Sequence, residues 1–139
     1  MRTLKRILLV EDEPDIQTIT KMALETIGGL SVSACGSGVE AVKLASESPP
    51  DLIVLDAMMP GMDGLDTFRA LRQIPLTRSI PVVFLTAKAQ PHEIALYKEL
   101  GALDVIPKPF DPMRLSETLL RIFSDKSAEV SPPPRPIPL

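Results

Sequence analysis

Tryptophan is absent from this chain, and tyrosine, histidine and cysteine each occur once in 139 residues. One cysteine, Cys35, excludes an internal disulfide and fits a reducing compartment. With His92 as the only histidine, a zinc centre built from the usual nitrogen and sulfur ligands is excluded. His92 falls at the start of a helix-period segment, where an exposed structural role is expected. Aromatic residues make up 4% of the chain, so the core must be aliphatic. That composition suits a parallel sheet buried on both faces. No apolar run approaches the ~18 residues of a membrane span. The short basic start runs straight into a strand-like segment, without a signal-peptide pattern. A cytoplasmic chain with no membrane partner is the expectation. Charge of one sign is also lacking: the net charge is −3, and Lys and Arg are scattered. A nucleic-acid binder carries a basic stripe, so no direct DNA binding is expected.

Apolar residues make up 45%, enough for one sizeable core in a chain of single-domain length. Five short aliphatic runs stand out: Ile7-Leu8-Leu9-Val10, residues 30–34, Leu52-Ile53-Val54-Leu55, Val82-Val83-Phe84-Leu85 and residues 103–106. Each has the length and composition of a buried strand. Between them lie helical spacings. Ile16, Ile19, Ala23 and Ile27 mark one helix face, with Pro14 in the first turn and Gly28-Gly29 at the end. Residues 38–47 read as a second helix stopped by Pro49-Pro50. Leu65, Phe68 and Leu71 mark a third; Ile94, Tyr97 and Leu100 a fourth, closed by Gly101. Leu115, Leu119 and Ile122 mark a fifth, opened by Asp111-Pro112. Tyr97 and Met113 read as packing residues. Strands alternating with helices imply an α/β fold, a doubly wound five-stranded parallel sheet. The folded domain is expected over residues 1–123. Residues 124–139 lose apolar periodicity and become proline-rich, so they read as a disordered or polyproline-like tail. With such a tail no output domain is expected to follow, and the domain is expected to stand alone.

Sites in open parallel sheets form beyond the carboxyl ends of the strands. There the chain places Glu11 and Asp12, Asp56, Thr86 and Lys108. One polar residue at a strand end is commonplace; Thr86 alone reads better as a local backbone binder, and Asp56 and Lys108 alone as a cap and its salt-bridge partner. The conjunction is what points to chemistry. Three carboxylates and one ammonium sum to −2, a repulsion relieved by protonation or by a cation. A hard divalent ion on oxygen ligands brings the sum to zero, and magnesium suits a site that also meets phosphate. A carboxylate in such a setting can act as a nucleophile toward phosphorus, with Lys108 and Thr86 offering charge and a hydroxyl to the transferred group.

Several other patterns carry less. Gly36-Ser37-Gly38-Val39-Glu40-Ala41 has the spacing of a dinucleotide fingerprint, but it follows the second strand rather than the first. It reads as a turn that packs the second helix on the sheet. Pro133 to Pro136 fits P-x-x-P without further context. There is no P-loop, and Asp56-Ala57-Met58 lacks the Asp-x-Asp of one class of phosphatases.

The segments Ile7 through Glu13, Asp51 through Asp56, Met59-Pro60-Gly61-Met62-Asp63-Gly64, Phe84-Leu85-Thr86-Ala87 and Lys108-Pro109-Phe110 together resemble the receiver domain of bacterial two-component response regulators. The resemblance covers residues 5 to about 123. It implies a flavodoxin-like sheet of strand order 2-1-3-4-5, the order that already illustrates this family's doubly wound topology. It implies Asp56 as phosphoacceptor, Thr86 and Lys108 as phosphoryl-binding residues, and a metal held by Asp12, Asp56, Glu11 and the backbone carbonyl of Met58. The metal would be Mg2+, with Mn2+ as a substitute. The Lys108–Pro109 bond is expected in cis. Partners would be a histidine kinase or phosphotransfer protein and a downstream protein target, reached through altered contacts or onward phosphotransfer. Three positions depart from the common pattern: Val105, Pro107 and Met58. Val105 stands where an aromatic switch residue is usual, which an aliphatic side chain cannot replace, and Pro107, directly before Lys108, restricts its neighbour Ile106. Met58 stands where a side chain controls water access to the phosphoryl group. The expected function is a signalling switch that phosphorylates its own Asp56 and is not a multiple-turnover enzyme; the alternative, favoured only by Val105, is a non-phosphorylated interaction module.

Overall fold

The computed structural model describes residues 3–128. Ten elements alternate: β1 (Arg6–Val10), α1 (Pro14–Thr26), β2 (Ser31–Cys35), α2 (Gly38–Glu47), β3 (Leu52–Asp56), α3 (Gly64–Gln73), β4 (Val82–Thr86), α4 (Pro91–Glu99), β5 (Asp104–Pro107) and α5 (Pro112–Ala128). The strands form one parallel sheet in the order β2-β1-β3-β4-β5, the expected flavodoxin-like arrangement. Among the described residues no helix is long and apolar enough to cross a membrane.

The aliphatic runs become strands because both of their faces are covered. Leu8, Val10, Ile53, Leu55, Phe84 and Val105 face a layer that includes Ala41, Ala45, Phe68 and Leu71, from α2 and α3. Their neighbours Ile7, Leu9, Leu52, Val54, Val83, Leu85 and Ile106 face Leu24 of α1 and Leu115, Leu119 and Phe123 of α5. Side chains alternate between the layers with a period of two, so a strand buried on both sides shows no polar alternation in the sequence. Each fully buried Leu or Phe contributes about 1.5–3 kcal/mol. Pro107 ends β5 without an amide donor, and the carbonyl of Thr86, its partner on β4, accepts instead from the Lys108 amide at 2.8 Å.

Helix starts follow the local chemistry. Ser37 accepts from the Glu40 amide at 3.2 Å, Asp63 from the Asp66 amide at 2.9 Å, and Asp111 from the Met113 amide at 2.9 Å. Pro14, Pro91 and Pro112 each occupy a first helical position.

Four sequence expectations are corrected. The inward face of α1 is Thr20, Ala23 and Leu24, whereas Ile19 and Ile27 are exposed. The reason is close approach to α5: a Cβ on Gly28 would lie 2.6 Å from the Ser116 Cβ, so small residues rather than the isoleucines turn toward that helix. Met113 is exposed, not packed. Gly38 packs α2 against Thr67 and Met62, since a Cβ there would fall 2.1 Å from the Thr67 hydroxyl, rather than seating the helix on the sheet alone. Finally, α5 continues to Ala128, past the boundary at residue 123. A helix already anchored by Leu119 and Phe123 propagates through polar residues at little cost. The remainder of the proline-rich segment, with its P-x-x-P, lies outside the described residues.

Gly64 opens α3 directly against the end of β3. A Cβ there would lie 2.5 Å from the Asp56 carbonyl oxygen and 2.6 Å from the Ala57 Cα, both backbone atoms that cannot swing away. Gly64→Ala is expected to destabilise the domain by about 1–3 kcal/mol; a denaturant melt with an unchanged midpoint would show that this contact yields freely.

Candidate functional site

Parallel register brings the strand ends to one rim. Val10 pairs with Leu55, Asp56 with Leu85, and Thr86 with Pro107. Glu11 and Asp12 therefore follow β1 beside Asp56, the last residue of β3, with Thr86 ending β4 and Lys108 just past β5. The rim lies where the winding reverses between β1 and β3, the place a doubly wound sheet opens a crevice.

The Lys108 ammonium reaches Glu11 Oε1 at 2.9 Å and Asp56 Oδ2 at 3.2 Å. The other Asp56 oxygen, Oδ1, accepts from the Met58 amide at 3.1 Å. Glu11 and Asp56 are fully buried, and Asp12 is partly exposed at the rim. Carboxylate oxygens of Glu11, Asp12 and Asp56 lie within 4.8 Å of one another. Thr86 is buried, and its hydroxyl oxygen accepts from the Lys88 amide at 3.0 Å. The Lys108–Pro109 peptide bond is cis. Val105 is buried beneath the rim, paired with Phe84, and the Met58 side chain stands exposed above it.

Charge crowding shows in the proton affinities. Burial, reinforced by hydrogen bonding to Glu11 and by its charge, pushes the Asp56 carboxyl up to about 7. Burial also acts to raise Glu11, but its hydrogen bonds to Asp56 and Lys108 outweigh that and hold it below the usual carboxylate range. Lys108 loses affinity through burial and regains more from Glu11 and Asp56, so it stays firmly protonated. A single proton shared between the acids, residing on Asp56, is the metal-free solution to the repulsion.

The donor set fits a hard divalent ion. Three carboxylates converge, neither histidine nor thiolate is near, and the proton forced onto Asp56 marks the place where a cation would relieve the same repulsion.

The family model of the response regulator receiver domain matches residues 7–120. The chain belongs to that family. Among curated relatives, it is 39% identical over 129 residues to the alkaline phosphatase synthesis transcriptional regulatory protein PhoP of Bacillus subtilis, covering 93% of this chain and 52% of that protein. It is 36% identical over 129 residues to the DNA-binding response regulator MtrA of Mycolicibacterium smegmatis, covering 91% and 55%. The solved receiver domain of the sensor histidine kinase PA1611 of Pseudomonas aeruginosa superposes with a TM-score of 0.75 at 31% identity, covering 88% of this receiver and 99% of that one. That structure holds a magnesium ion in its active site cleft.

This receiver spans about half the length of PhoP and MtrA. The exclusion of DNA drawn from charge is corrected by these relatives, which include a DNA-binding response regulator. A net charge describes only the residues it is summed over, and says nothing of a function carried by a companion domain.

Two features of the site had no local signal. The Lys108–Glu11 pair spans 97 positions, and the Lys88 amide that fixes Thr86 is a backbone group.

Because Asp56 is pushed up to about 7, the folded metal-free domain holds a proton that the unfolded chain releases near the ordinary carboxylate value. Its stabilising effect is full at low pH and is lost as pH rises through about 7. Asp56→Asn is expected to stabilise the metal-free domain by about 1–3 kcal/mol at pH 8, with the gain fading toward pH 4. Urea melts in chelator give the comparison; a gain independent of pH would contradict the assignment of the proton.

Proposed function

We propose that this receiver is a signalling switch in which Asp56 accepts a phosphoryl group from the phosphohistidine of a histidine kinase or phosphotransfer protein. One observation carries the reading: a buried carboxylate, Asp56, has its two oxygens engaged by the Met58 amide and the Lys108 ammonium, with two further carboxylates against it. Glu11, Asp12 and Asp56 would hold magnesium, or manganese in its place, with the Met58 carbonyl. When bound, the ion supplies positive charge to the acids and to the oxygens of the incoming phosphoryl group.

The steps belong to the protein's own residues. A carboxylate oxygen of Asp56 forms the new bond to phosphorus as the phosphorus–nitrogen bond of the donor breaks. The departing imidazole keeps that bond's electron pair. Lys108, 3.2 Å from Asp56, sets a permanent cation beside the charge developing on the phosphoryl oxygens. Thr86, whose oxygen already accepts from Lys88, keeps its one hydrogen free to donate to the phosphoryl group. The product is a phosphorylated domain, not a released one, so the domain is spent after one transfer and does not turn over outside substrates. The signal leaves through altered protein contacts or onward phosphotransfer. A cytoplasmic location is the one that fits this reading.

Incubation with acetyl phosphate and magnesium is expected to add one phosphoryl group to the intact mass. Asp56→Ala or a chelator should abolish the gain, and Lys108→Ala should slow it on the order of a hundredfold. An unlabelled wild-type chain would favour the constitutive interaction module instead. Magnesium binding should also tighten from pH 6 to pH 8, because a proton on Asp56 with its pKa near 7 competes with the ion; calorimetric affinity that is flat over that range would oppose it.

A further inference from the structure

The strand β5 forms one edge of the sheet. It pairs with β4 on one side, and among the described residues no strand lies on the other. An open edge invites pairing with another chain unless something covers it. Along this edge runs a groove of about 680 Å³ between β5 and α5. Its two ends differ in chemistry. Asp104, the first residue of β5, and Asp125, in the last turn of α5, mark one end. Ile106, Ile122 and Phe110 line the rest with apolar surface. Arg121 borders the groove too, which leaves its lining net acidic. Lys98 at 3.5 Å and the Val105 amide at 2.8 Å both meet Oδ1 of Asp104, so Oδ2 is left to a further cation.

The acidic end lies beside the point where the described chain stops. Residues 129–139 continue from α5 with one cation, Arg135, followed by Pro136-Ile137-Pro138-Leu139. Proline favours an extended backbone of ~3.1 Å per residue. The six residues from Glu129 to Pro134 can therefore span up to ~19 Å, whereas Asp125 lies only ~4.5 Å back along the helix from Ala128. That is ample to reverse direction and set Arg135 beside Asp125 and Asp104. Pro136 through Leu139 then cover ~12 Å, against ~10 Å of helix from Asp125 back to Thr118 at the groove's other end.

We propose that the segment Arg135 to Leu139 folds back into this groove, with Arg135 on the two acids and Ile137 and Leu139 on the apolar lining. The chemistry of proline suits that place. Its carbonyl can accept from an edge amide, but it has no N–H with which to pass the ladder to another chain. The segment would close the sheet's edge, and any second chain that pairs with β5 must first displace it. The inference does not depend on Asp56.

A nitroxide label at Arg114→Cys tests it in the full chain. Arg114 is exposed and stands one turn before Thr118 on the same helix face. Cys35 is buried, with its thiol pushed up to about 11, so the new thiol takes the label. A segment that folds back brings Ile137 and Leu139 nearer the label than Glu129 and Val130, and their amide NMR signals should broaden more. Broadening that is weaker at Ile137 and Leu139 than at Glu129 and Val130 overturns the proposal. So does broadening that vanishes on dilution, since the groove is then filled by another copy. Arg135→Glu should lower the ratio of docked to free segment about two- to fivefold, and adding Asp125→Arg should restore it. Both positions lie outside the core, so folding is not at stake. A ratio that neither change moves overturns the placement of Arg135 on the acids.

Discussion

A single ammonium placed between two buried carboxylates, Lys108 against Glu11 at 2.9 Å and Asp56 at 3.2 Å, is the contact around which the domain is organised. Burying such charges costs more than their attraction returns unless geometry and further donors are favourable. Here the Met58 amide serves Asp56 and the Glu13 amide lies 3.3 Å from Glu11, yet one acid too many remains, and the proton settles on Asp56. A site that is uncomfortable by itself and relieved by a cation is poised for phosphoryl chemistry. Holding the groups in register requires strand ends that do not drift, which the two aliphatic layers above and below the sheet provide.

Those layers are not equally tight. On one face α1 and α5 meet so closely that Gly28 admits no side chain, and Leu24, Leu115, Leu119 and Phe123 are fully buried. On the other face α2 and α3 are well seated, while α4 rests on partly covered side chains. Rigidity under the site and looseness beside it divide the labour: the first preserves the acids' spacing, and the second supplies an element able to respond.

Much of the fold was legible because its signals are local. Runs such as Leu52-Ile53-Val54-Leu55 had to be strands buried on both faces, and Asp111-Pro112 had the residues suited to open the helix that follows them. The site residues were legible for a related reason: a parallel sheet gathers all its strand ends on one side, so polar residues after successive aliphatic runs must meet. The inward face of α1 was not legible. Ile16 and Ile19 offered the larger apolar surface, but the neighbour's shape selected Thr20 and Ala23. The Pro-rich composition after Phe123 likewise hid five further helical residues, because propagation depends on the turn already formed.

By itself, then, the order of residues determined the alternation of strands and helices, the aliphatic core and the convergence of Glu11, Asp12, Asp56, Thr86 and Lys108, since each follows from periodicity and from the direction of parallel strands. Only the tertiary structure decided which acid carries the proton, that the lysine bridges Glu11 and Asp56, and that Tyr97 packs on Phe84. Those outcomes depend on distances between groups far apart in the chain, where a shift of an ångström changes which interaction wins.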